Sequence, residues 1–124
     1  MNLQYSSRVI LIAEDEPDTR GMLTEYLTDA GFSVVDVGTA QEAVDVFDSH
    51  SVTIDLVVSD INMPGEMDGR ALANWLLVAR PRIPVILTSG AVTLSFGVNN
   101  RIRRFIPKPY DLEDMQHHIL ELLN

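Results

Sequence analysis

Short apolar runs that end on charged or hydroxyl residues constrain this chain more than any other feature. The run 54–58 reads as a strand buried on both faces; a carboxylate, Asp60, follows it before Pro64-Gly65 turns the chain. Residues 9–13 form a second such run, followed by Glu14-Asp15-Glu16. In open α/β sheets the carboxyl ends of the strands border the ligand crevice. An Asp taken alone at such a place reads as a loop cap. Two adjacent strands that both end in carboxylates instead gather several negative charges into one small site. A cation must neutralise that cluster, and all-oxygen ligands suit a hard ion such as Mg²⁺.

The remaining segments alternate between strand and helix patterns, as a parallel sheet with crossover helices requires. The first strand is 8–13. Pro17 opens a helix in which Met22, Leu23, Tyr26, Leu27 and Ala30 recur at helical spacing, and Gly31 closes it. The second strand, 32–37, is more polar and is expected towards an edge. Thr39 and Glu42 form a capping-box pattern for a helix that turns Ala43, Val44 and Phe47 inward and runs to about His50. A third strand, 54–59, leads through the loop 64–69 to a helix at 70–78 with Leu72, Trp75 and Leu76 as core contacts. The fourth strand is 84–89, entered through Pro81 and Pro84. Residues 91–100 combine β-branched side chains, Gly97 and an Asn pair, so a short or irregular helix is expected there. The fifth strand is 102–106. The last helix, 111–123, is acidic at its start and carries Leu112, Met115, Ile119 and Leu122 on one face.

Composition removes whole classes of function. The 124 residues fit one domain with one core, and 46% are hydrophobic. No apolar run approaches the roughly 20 residues of a bilayer span, and residues 1–8 lack the regions of a signal peptide. The chain has no cysteine, which excludes disulfide and thiolate chemistry and suits a reducing cytoplasm. A net charge of −9 argues against binding nucleic acid. Lys108 is the only lysine among nine basic residues, and it stands in Phe105-Ile106-Pro107-Lys108-Pro109, just past a strand. A lysine is a compact point charge suited to meeting a phosphate.

Four strand ends therefore carry polar groups: Glu14 and Asp15, Asp60, Thr88 and Ser89, and Lys108. An acidic pair after strand one, Asp-x-x-Met-Pro-Gly after strand three, a hydroxyl closing strand four and Lys-Pro after strand five are in order and at compatible spacing. Over nearly its full length the chain resembles the receiver domain of bacterial two-component response regulators. The resemblance implies a flavodoxin-like, doubly wound sheet of five parallel strands in the order 2-1-3-4-5. It implies that Asp60 accepts a phosphoryl group from a phosphohistidine. Asp15 and Asp60 would bind Mg²⁺, with the carbonyl of Asn62 completing the protein ligands and Glu14 helping from the surrounding shell or through water. Lys108 would stabilise the transferring oxygens. Ser89 is the expected switch hydroxyl by its distance from Pro84, with Thr88 as the alternative, since side chains alternate along a strand and only one can face the phosphate. Phe105 matches the family's mobile aromatic residue, although a packed core phenylalanine is the equal alternative. Pro109 matches the cis Lys-Pro bond.

The implied protein is a phosphorylation switch that catalyses only its own modification and turns over no external metabolite. Its expected partners are a sensor histidine kinase or histidine phosphotransfer protein, and a downstream protein met through the face of the fourth helix, fifth strand and fifth helix. It is expected to be a cytoplasmic single-domain regulator over 1–124, monomeric or weakly dimeric, without an output domain. A phosphate-independent pseudo-receiver is the alternative, but such proteins usually lack one of the acids or the lysine. Flavodoxin-like electron transfer would need a Ser/Thr- and Gly-rich phosphate loop where Glu-Asp-Glu-Pro stands, and an aspartate-based phosphatase would need an acid at Asn62. Arg101, Arg103 and Arg104 form a basic patch that reads as a solvated face or as a dock for an acidic partner. His117 and His118 point about 100° apart on a helix and do not form a metal pair.

Overall fold

Strands with a continuous apolar sequence must be covered on both faces, and the helices between them supply the cover. A computed structural model describes residues 8–90 and 103–124. Its elements are β1 (Val9–Ala13), α1 (Pro17–Asp29), β2 (Ser33–Val37), α2 (Ala40–Ser49), β3 (Leu56–Asp60), α3 (Gly69–Ala79), β4 (Val85–Ser89), β5 (Arg103–Pro107) and α4 (Leu112–Leu123). The five strands are parallel, in the order β2-β1-β3-β4-β5. This is the flavodoxin-like order, and its reversal point lies between β1 and β3. The expected irregular helix at 91–100, with Arg101 and Ile102, lies outside the described residues.

Alternation along the strands divides the core in two. Leu11, Val57 and Leu87 meet α2 and α3 through Ala43, Phe47, Leu72 and Leu76. Ile10, Ile12, Leu56, Val58 and Ile86 meet α1 and α4 through Leu23, Leu27, Met115 and Ile119. Every residue of β3 and β4 is buried, whereas β2 is partly exposed at the edge, as its polar sequence predicts.

Local chemistry sets the helix ends. Glu16 caps α1, its carboxylate accepting from the Thr19 amide at 2.9 Å, and Pro17 occupies the first turn. The Thr39–Glu42 capping box is complete, with both reciprocal bonds at 3.1 Å. Asp68 caps α3 by accepting from the Ala71 amide. Trp75 is half-buried, its ring 5.8 Å from that of Phe47.

Met22 departs from the expected inward stripe. It is 61% exposed, while Leu23 and Leu27 are buried. Met22 borders an open cavity beside Lys108 instead of the core. No helix among the described residues is long and apolar enough to cross a membrane.

Candidate functional site

Parallel register brings the polar strand ends to one edge. Ala13 pairs with Ser59, Asp60 with Thr88 and Ser89 with Pro107, so Glu14, Asp60, Ser89 and Lys108 emerge side by side. Lys108 Nζ donates to Glu14 Oε1 at 2.7 Å and to Asp60 Oδ2 at 3.3 Å. Glu14 and Asp60 are buried, whereas Asp15 is exposed. One carboxylate oxygen from each of Glu14, Asp15 and Asp60 lies within 4.8 Å of the others. Three hard oxygen donors that close fit a small divalent cation such as Mg²⁺.

Electrostatics follow from that crowding. Burial pushes the Asp60 carboxyl above its ordinary value, and the charge of Glu14 adds to the shift. Lys108 and a hydrogen bond from the Asn62 amide oppose it. Burial works against the Lys108 ammonium, yet the bond to Glu14 and the charges of Asp60 and Glu14 outweigh it and raise its pKa. The ammonium therefore stays charged between the two acids.

The hydroxyls separate by face. Ser89 lies on the sheet face of Leu87 and Phe105, which are register partners, and Thr88 lies on the other. Asn62 Nδ2 donates to Ser89 Oγ at 3.2 Å, linking the loop after Asp60 to the end of β4. Phe105 is half-buried and packs against the core of the α2 and α3 face. The Lys108–Pro109 peptide bond is cis. An open cavity of about 550 Å³ leads from Lys108 along α1 and the start of α4, lined in part by Met22, Tyr110 and Leu112.

Two supporting residues were not evident from the sequence. Arg20 Nη1 donates to the Glu14 carbonyl at 2.7 Å while its Nε meets Asp36 at 3.3 Å, tying the acidic loop to α1 and β2. The only signal was a cation one turn into the helix that follows the acids. The second is Gly69, whose amide donates to the Ile61 carbonyl at 2.9 Å. A Cβ built there would collide with the Asp60 carbonyl oxygen and lie 2.7 Å from Ile61 Cα. Of the basic patch, Arg104 is engaged within the chain, by Glu121 at 2.6 Å and His118 Nδ1 at 2.8 Å.

Residues 10–120 match the response regulator receiver domain family. The chain is 32% identical over 120 residues to the sensor kinase CckA of Brucella abortus, covering 94% of this chain and 13% of that protein's length. A response regulator receiver protein from Sinorhizobium medicae superposes with a TM-score of 0.85 at 30% identity, covering 95% of each chain. The response regulator TrrA of Thermotoga maritima, solved in complex with Mg²⁺-BeF, gives a TM-score of 0.81 at 25% identity, covering 94% of this chain and 99% of that one.

Proposed function

The chain belongs to the response regulator receiver family, and we propose that it works as a phosphoacceptor switch, with Asp60 taking the phosphoryl group. Receivers are signalling modules rather than enzymes acting on metabolites. The observation that carries the reading is the Lys108 ammonium held between Glu14 and Asp60, at 2.7 and 3.3 Å. In the proposed reaction an Asp60 carboxylate oxygen attacks the phosphorus of a phosphohistidine. The P–N bond breaks, its electron pair goes to the imidazole nitrogen, which takes up a proton from water, and an aspartyl phosphate remains. Lys108 offsets the charge on the transferring oxygens.

Asp15, Asp60 and the Asn62 carbonyl would hold Mg²⁺, with Glu14 at its edge. Bound there, the ion would lower the repulsion between carboxylate and phosphoryl group. Ser89 is proposed to meet the phosphoryl oxygen, with Phe105 moving behind it on the same face. The cavity beside Met22 and Tyr110 gives the donor a route to the site. A sensor kinase or histidine phosphotransfer protein is the proposed donor. The complete set of acids and lysine disfavours a phosphate-independent module.

The test is intact mass after incubation with Mg²⁺ and acetyl phosphate. One phosphoryl group is expected on the wild type and none on Asp60→Asn. Ser89→Ala is expected to slow incorporation more than Thr88→Ala. Equal labelling of Asp60→Asn, or the reverse ranking of the hydroxyl variants, would contradict the corresponding assignment.

A further inference from the structure

The end of the sheet opposite Asp60 has chemistry of its own. There α2 ends, the chain enters β3, and α3 passes into β4. Between these segments lies an open cavity of about 370 Å³, within the range of roughly 300–1,000 Å³ typical of small-molecule sites. Its floor is apolar: Phe47 and Ile54 are buried, and the half-buried Val52 and Ile83 form the walls. Its rim is polar, formed by Arg80 with the exposed His50 and Thr53.

Arg80 is the informative residue. Its guanidinium carbon sits 5.6 Å from the centre of the Phe47 ring, and Nη1 donates to the Ala79 carbonyl at 2.8 Å. Those two contacts orient the planar group at the mouth of the cavity. Among the described residues no carboxylate pairs with it. That is unexpected in a chain with 18 acidic residues against nine basic ones. A fixed guanidinium beside an apolar hollow matches a ligand with a carboxylate at one end and hydrocarbon at the other.

We infer that this cavity is a second site, which binds a small carboxylic acid with an apolar body. The carboxylate meets Arg80, and the hydrocarbon lies against Val52, Ile54 and Ile83. A phosphate is the poorer match, because one guanidinium and apolar walls leave most of its oxygens without donors. An acidic side chain of a protein would use the rim and leave the floor uncovered. The inference is independent of phosphorylation at Asp60.

The test is a titration of the full chain with hexanoate, followed by backbone amide NMR, with hexylammonium and hexan-1-ol as probes of matched length. Saturable shifts are expected at residues 50–54, 80, 82 and 83, with hexanoate binding about tenfold more tightly than hexan-1-ol and hexylammonium not binding there. Arg80→Gln should weaken hexanoate by about tenfold, to the affinity of hexan-1-ol. Because Arg80 also packs on Phe47, Thr53→Glu serves as a second variant: it adds a repelling carboxylate at the exposed rim and should weaken hexanoate by about tenfold or more. No saturable shift with hexanoate, equal binding of hexylammonium, or unchanged affinity in Thr53→Glu would overturn the inference.

Discussion

Lys108→Ala lowers the unfolding free energy of the metal-free protein by about 2 kcal/mol, and Asp60→Asn added to it restores most of the loss. Among the described residues, Lys108 is the only ion-pair partner of Glu14 and Asp60. Removing it leaves two buried carboxylates facing each other. Stripping one partner from a fully buried pair costs roughly 3–5 kcal/mol, and solvent access at Lys108, whose side chain is 23% exposed, reduces that figure. The pH dependence has a definite sign. The folded Asp60 carboxyl holds its proton to a higher pH than in the unfolded chain, so the folded state binds more protons in the window above the ordinary Asp value of 3.8. Stability attributable to Asp60 therefore falls as pH rises through that window. Without the lysine the fall is steeper and extends further, so the deficit of Lys108→Ala is small near pH 4 and grows towards neutrality. Chemical denaturation across that range measures it, and millimolar Mg²⁺ should narrow the gap. A deficit that ignores pH, or that Asp60→Asn does not relieve, would show that Lys108 is not the neutralising charge.

Gly69→Ala is the second large effect, and it arises from backbone rather than charge. The new methyl would meet the Asp60 carbonyl group and Ile61 Cα, none of which is the yielding end of a flexible side chain. The start of α3 must move away from β3, weakening the Gly69 amide bond to the Ile61 carbonyl. Overpacking costs roughly 1–3 kcal/mol, and a collision with main chain belongs at the upper end, about 3 kcal/mol. Displacement of the segment that carries Asp60 should also slow phosphoryl incorporation. Gly21→Ala is the matched control: it sits within α1, and beyond its chain neighbours and the backbone of its own helix nothing lies within 4 Å of the added Cβ. That change should raise stability by about 0.5–1 kcal/mol. Denaturation midpoints of the two variants decide the matter. Similar effects of both would mean that α3 does not press on Asp60 as described.

Much of this arrangement could be read from local chemistry. The Thr39–Glu42 capping box, Pro17 at the start of α1 and the edge position of β2 each rest on residues close in sequence. The site residues could be named because each ends or follows a strand, and parallel strands deliver their carboxyl ends to one side. What escaped the reading depends on approach between distant segments. Nothing in the sequence around Gly69 says that the first turn of α3 will press on the main chain at Asp60. Arg20 looks like a surface cation until the fold brings Asp36 and the Glu14 carbonyl to it. Met22 fits the helical stripe by spacing, but α1 turns Leu23 and Leu27 to the core and leaves Met22 at the rim of the Lys108 cavity.

The central claim is that phosphoryl transfer ends on one carboxylate among three neighbours. Borohydride reduction after reaction with acetyl phosphate and Mg²⁺ tests it most directly, because it converts an aspartyl phosphate into homoserine that peptide mass spectrometry can locate. The prediction is homoserine at position 60, with Asp15 unchanged and Glu14 unreduced. Reduction at Glu14 or Asp15 instead, or a labelled protein with Asp60 intact, would contradict the account.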